Sequence, residues 1–157
     1  MAPFAPSMLN LRNRECGARS MFTHVGIVFR DLKSSGEFYR KVLEPIGIRI
    51  FEDHTQPDGT GWLVFGTEGS SNFFVVAAGR PSFWRESSAP ARSPVHIAFQ
   101  APSRDAVHRF HSVGLECGAI NNGSPGMRPG GSYAAFLIDL DGNNIEAGCR
   151  PGVGVAP

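Results

Sequence analysis

Phe22-Thr23-His24-Val25-Gly26-Ile27-Val28-Phe29 is a β-rich, mostly apolar run, and Val95-His96-Ile97-Ala98-Phe99 is a second run of the same kind. Such runs suit strands buried on both faces. The segments C-terminal to the two runs are also alike. Asp31 can cap a helix whose apolar positions Phe38, Tyr39, Val42, Leu43 and Ile46 recur at three and four residues, with Pro45 and Gly47 ending it. Ser103 can cap a second helix carrying Ala106, Val107, Phe110 and Val113 on one side. The fourteenth residue after His24 is Phe38, and the fourteenth after His96 is Phe110. An apolar-Gly-apolar step is expected to close each helix, Ile46-Gly47-Ile48 and Val113-Gly114-Leu115. The step comes 23 residues after His24 but 18 after His96, so the repeat reads as approximate.

Three further strands are expected in each half: Ile48–Phe51, Trp62–Phe65 and Phe73–Ala77, then Leu115–Ile120, Tyr133–Ile138 and Asn144–Cys149. The chain therefore reads as an α+β protein of two βαβββ modules. Module one covers 21–78, a polar, proline-containing linker covers 79–93, and module two covers 94–150. Phe83-Trp84 would pin the linker to the body. Residues 1–20 show neither strand nor sustained helix periodicity and read as a poorly ordered extension, with Met21 a plausible alternative start. Residues 151–157 read as a tail.

Composition bounds the function. The 157 residues are 41% hydrophobic and 18% charged, enough for one domain with a real core. A net charge of +1 gives no electrostatic reason to expect nucleic acid or an anionic membrane as a partner. No apolar run approaches the roughly eighteen residues of a membrane span, and no secretory signal is apparent. Cys16, Cys117 and Cys149 are scattered, without a C-x-x-C pair, so neither a disulfide framework nor a zinc knuckle is indicated. A cytoplasmic protein is the expectation. Asp139-Leu140-Asp141-Gly142-Asn143 has its glycine at the fourth position, where a calcium loop needs it at the sixth, and reads as a hairpin turn.

Strand alternation puts His24 on one face with Gly26 and Val28, and His96 with Ala98. Small neighbours suit a face lining a cavity. Glu146 lies opposite in face to Ile145 and Ala147 in the last strand. Two imidazoles and a carboxylate on three strands are the ingredients of a facial metal triad with open positions. Taken singly, each also suits a bland role as a hydrogen-bonded core or rim residue.

HVGIVFRDLKSSGEFYRKVL, VHIAF and YAAFLIDLDGNNIE, in this order and at these separations, resemble the glyoxalase/bleomycin-resistance/dioxygenase superfamily, the vicinal oxygen chelate proteins. The resemblance covers roughly residues 21–150. It implies paired βαβββ modules curling into a half-open barrel around one divalent metal ion (Fe, Mn, Zn or Ni), with His24, His96 and Glu146 at the metal positions. It also implies a homodimer, since each module has a curved face that it cannot bury alone.

One departure narrows the activity. Glyoxalase I supplies a further glutamate from the last strand of module one, where this chain has Phe73-Phe74-Val75-Val76-Ala77. The triad alone resembles that of ring-cleaving dioxygenases and metal-dependent thiol transferases. The expected function is metal-dependent chemistry on a small oxygen-rich substrate, lactoylglutathione-lyase-like, ring-cleaving or thiol-transferring, with Lewis-acid stabilisation of an enolate or catecholate. The alternative is a metal-free protein that sequesters a small molecule, as bleomycin-resistance proteins do. Glu146 could double as a base and Tyr133 donate a hydrogen bond to a metal-bound oxygen. Arg128, placed in a loop Asn121–Ser132, could bind an anionic group, and Trp62 could line an apolar pocket. His54, His108 and His111 are read as structural.

Overall fold

The computed structural model describes residues 24–70, 72–79, 95–129 and 131–149. The expectations for 1–20, Phe22-Thr23, Cys16, the linker with Phe83-Trp84, and 151–157 lie outside these residues.

Each repeat folds into one mixed four-stranded sheet with a helix on one face. Module one runs β1 (His24–Phe29), α1 (Leu32–Leu43), a short 3-10 turn (Glu44–Ile46), β2 (Arg49–Asp53), β3 (Gly61–Gly66) and β4 (Phe73–Ala78). Module two runs β5 (His96–Gln100), α2 (Arg104–Glu116), β6 (Ile120–Met127), β7 (Tyr133–Ile138) and β8 (Asn144–Cys149). The strand orders are the same, β1-β4-β3-β2 and β5-β8-β7-β6, with the first pair parallel and the others antiparallel. Neither sheet closes on itself. Both caps form as the sequence predicts. Asp31 accepts from the Ser34 amide at 2.9 Å and Ser103 Oγ from the Ala106 amide at 3.1 Å. The bonds from Ser34 hold the Asp31 carboxyl below the usual carboxylate range.

Two sequence expectations are corrected. Residues 115–116 finish α2 rather than beginning a strand, because Gly114 is no helix stop. It lies within the helix where a Cβ would stand 2.2 Å from Leu137 Cδ1, so its bareness lets α2 lie close against β7. The turn comes at Gly118, whose φ of +94° suits glycine as the φ of +81° does at Gly47. Gly118 is 22 residues beyond His96 and Gly47 is 23 beyond His24, so the repeat is closer than the sequence suggested. Second, Ile120–Met127 is a strand and not part of a loop. Its Asn, Gly, Ser and Pro residues hide it, and its pairing with β7 is broken by irregularities between Asn121 and Gly123 and between Gly123 and Gly126.

The two helix-bearing faces meet and share one hydrophobic core. Tyr39 sits edge-on to Phe29, Phe38 and Phe74 at centroid distances of 5.4, 5.2 and 5.0 Å, and Phe74 meets Phe99 of module two at 5.3 Å. Polar links run along the same seam. Arg30 pairs with Asp141 at 2.8 Å, and the Ser35 hydroxyl donates to Asp141 at 3.1 Å. Each sheet's other face, its open face, therefore points away from the shared core.

Candidate functional site

Register decides which side chains share an open face. In module one, His24 pairs with Phe73, Gly26 with Val75 and Val28 with Ala77, while Trp62 opposes Ala77 and Val64 opposes Val75. Alternate residues, Phe74, Val76 and Phe65 among them, fill the core. In module two, Ala98 and Phe136 both pair with Glu146, and His96 pairs with Asn144. Ile145 and Ala147 on the opposite face are fully buried. The sequence reading of these faces holds for His24, His96 and Glu146.

Module two brings two of the three together. His96 Nε2 stands 3.3 Å from Glu146 Oε2, with the histidine side chain 49% exposed and the glutamate 17%. The Phe136 ring lies beside His96, centroid to centroid 6.2 Å and tilted by 31°. Gly148 keeps room for the carboxylate, since a Cβ there would lie 3.2 Å from Glu146 Oε1. Among the described residues no three His, Cys, Asp or Glu side chains gather as they would around one ion. His24 occupies the matching strand of the other module, on a sheet whose open face points away from the shared core. One chain thus places His96 and Glu146 together on one open face and His24 on the other.

Arg128 belongs to the same face as the pair. Its guanidinium carbon lies 4.8 Å from the centre of the Phe136 ring. Nη2 donates to the carbonyls of Ser124 at 2.7 Å and Ala134 at 3.0 Å. Gly123, where a Cβ would come within 2.8 Å of Phe136 and 3.2 Å of Arg128 Nη2, leaves the space that this stack needs. The sequence reading missed Phe136 and Gly123. Phe136 faces Glu146 only through the register of β7 on β8, which the sequence does not display, and Gly123 was concealed in the supposed loop.

Trp62 is on module one's open face, 45% exposed, with the His54 ring stacked on it at 4.8 Å. His54 Nε2 in turn meets Glu52 Oε2 at 2.8 Å. Phe51, 51% exposed, reaches Phe73 at 6.4 Å, which makes this face largely aromatic. Tyr133 is placed otherwise than expected. It pairs with Cys149, on the face of Ala135 and Ala147, and its hydroxyl meets His108 Nε2 of α2 at 2.7 Å. It therefore points to the helix side of the sheet, away from Glu146, and its catalytic role is withdrawn. His111 is buried, with Nε2 3.0 Å from Asn121 Oδ1.

The fold has known relatives. A glyoxalase/bleomycin resistance protein from Albidiferax ferrireducens T118 is 27% identical and superposes with a TM-score of 0.65, over 83% of this chain and all of that one. The chain belongs to the glyoxalase/bleomycin-resistance/dioxygenase superfamily. Lactoylglutathione lyase from Agrobacterium tumefaciens (19% identity, TM-score 0.60, 88% of this chain and all of that one) shares the fold. So does an antibiotic binding protein from Streptomyces sp. CB03234 (20% identity, TM-score 0.58, 85% of this chain and 98% of that one). No family model matches the sequence, and no curated protein does. Superfamily folds serve both catalysis and ligand capture, so the side chains on the open faces must carry the functional argument.

Proposed function

We propose that this protein is a metal-dependent enzyme acting on a small oxygen-rich substrate, in a site completed between two copies of the chain. The observation that carries the reading is the approach of His96 and Glu146 to 3.3 Å on an open face, with His24 at the matching place on the other module. The donor set fits a divalent ion: one imidazole and one carboxylate oxygen are already adjacent, and facial sites take two histidines and a carboxylate. His24 of the partner subunit would be the third ligand. A homodimer that lays module one of each copy over module two of the other supplies it, and covers the exposed Phe51 and Trp62 as well.

A divalent ion held there would polarise paired substrate oxygens as a Lewis acid. The chain's own residues do the remaining work. Phe136 walls the pocket beside His96, and Trp62 lines the facing sheet. Glu146 Oε1, kept clear by Gly148, can take and return a substrate proton, the role that glyoxalase-type, ring-cleaving and thiol-transfer chemistry would each use differently. The unpaired thiols of Cys117 and Cys149 accord with a reducing, cytoplasmic compartment. Elemental analysis of protein purified without added metal tests the reading. One ion per chain, lost in His96→Ala, is expected; iron would favour oxygen chemistry, and nickel, zinc or manganese a redox-neutral reaction. Absence of any metal, with no uptake on titration, would overturn it.

One observation favours a second reading, a ligand-sequestering protein. The open face of module one is aromatic and exposed at Phe51 and Trp62, a surface suited to stacking on a flat molecule. Tight binding of such a ligand by metal-stripped protein would mark this reading as the correct one.

A further inference from the structure

We propose that Arg128 makes this site selective for an acid, a small molecule carrying a carboxylate on a flat apolar body. The proposal deepens the reading of module two's open face as a small-molecule site and rests on it. Three observations lead there.

The first is that Arg128 has no acidic partner among the described residues. None of their ion pairs includes it, although the residue is half-buried. A cation withdrawn from water without a counter-charge is unfavourable unless something else supplies that charge. The second is the accounting of its donors. Nη2 spends its hydrogens on the Ser124 and Ala134 carbonyls, whereas Nε is buried and has no hydrogen-bond partner among the described residues. The buried Nε lies out of a ligand's reach, so the donors open to an incoming acceptor are those of Nη1, which makes no hydrogen bond among the described residues. The two carbonyl bonds also fix the guanidinium in place, so the group is organised before any ligand arrives.

The third observation is position. Phe136 has His96 beside its ring at 6.2 Å and Arg128 stacked on it at 4.8 Å. Gly123 is bare where a side chain would displace both Phe136 and Arg128. A flat ligand body lying against Phe136 would have its oxygen-bearing end near His96 and Glu146 and its carboxylate at Arg128. Arginine suits that task because its charge persists at every working pH and its donors are planar.

Benzoate and benzamide are a probe pair that differ in charge and little in shape. Ligand-observed NMR titration of the whole protein should show benzoate binding at least tenfold tighter than benzamide. The preference should shrink as salt rises from about 0.05 to 0.5 M, as screening requires. Arg128→Gln should abolish it and Arg128→Lys should keep part of it, with circular dichroism confirming the fold of each variant. Catechol, offered with and without added metal, separately reports the metal reading. Equal affinity of the wild type for the two probes overturns the proposal, and so does a preference that survives in Arg128→Gln. Should the Gln variant not fold, the wild-type comparison and its salt dependence still decide. A benzoate preference without metal-dependent catechol binding upholds Arg128 and removes the metal; the reverse result upholds the metal and removes Arg128's role.

Discussion

The Tyr39 hydroxyl donates to Asp139 at 2.6 Å, fastening α1 of module one to the β7–β8 hairpin of module two. Asp139 is a hub. Its carboxylate also accepts from the amides of Asp141 and Asn143 and from Asn143 Nδ2. The tyrosine ring lies at the centre of the aromatic cluster that joins the modules. This contact helps to hold the module seam, together with the bonds of Arg30 and Ser35 to Asp141, on the side away from the open faces.

Tyr39→Phe should keep the ring packing and lose the charged hydrogen bond, at a cost of about 1–3 kcal/mol. For a chain of this size that lowers the melting temperature by roughly 2–4 °C per kcal/mol. Burial, with the Asp139 charge next in weight, pushes the Tyr39 hydroxyl far above its ordinary pKa. The folded-state pKa is raised, so the native contact is fully stabilising below the unfolded value of about 10 and is lost progressively as pH rises beyond it. Melting temperatures of the wild type should begin to fall above about pH 10 and go on falling as pH rises further, and Tyr39→Phe should flatten that decline. Parallel pH curves for the two proteins would contradict the argument.

Gly114→Ala tests the correction to α2. In an exposed helix the change would stabilise by about 1 kcal/mol. Here the new Cβ meets the fully buried Leu137 side chain, and overpacking of that kind costs about 1–3 kcal/mol. Net destabilisation is expected in a urea melt. A gain in midpoint would mean that Leu137 moves aside freely.

These two positions show why the sequence disclosed the fold more readily than its details. Alternation in β8 reports burial directly, and the caps at Asp31 and Ser103 are local chemistry, so both were legible. β1 and β5 read as strands buried on both faces, whereas one face of each is open, because apolar content alone does not tell a core face from a cavity face. Gly114 was not, because a glycine that ends a helix and one that admits a neighbouring strand look identical until the neighbour is in place. β6 was obscured for a related reason: an irregular edge strand rich in Gly, Asn and Ser has no alternation to read. His24 and His96 drew notice through matching places in the repeat, and Glu146 through its place in the last strand. Tyr133 was misassigned because its position on β7 gives its strand but not, without register, its face.

Tyr133→Phe should therefore leave metal content and ligand affinity at wild-type values. It removes the bond to His108 on the helix side of the sheet, an exposed contact whose loss should lower stability by no more than about 1 kcal/mol. Isothermal titration with a divalent ion would check this, and a tenfold fall in affinity would return Tyr133 to the site.

A site shared between two copies, as proposed, makes a prediction that no single-chain site can imitate. His24→Ala and His96→Ala should each weaken metal binding at least about tenfold, as removal of a ligand requires. If module one of one copy faces module two of the other, a mixed dimer pairs the intact His24 of one variant with the intact His96 and Glu146 of its mate, and concentrates both lesions in the second site. Mixing the two inactive variants after mild dissociation should therefore restore roughly a quarter of the wild-type metal content, given random reassociation into two-site dimers. His24→Ala mixed with Glu146→Ala should recover equally. His96→Ala mixed with Glu146→Ala should recover nothing, because both lesions fall on module two and every site keeps one of them. Sedimentation showing a monomer at micromolar concentration, or equal recovery in all three mixtures, would exclude the shared site.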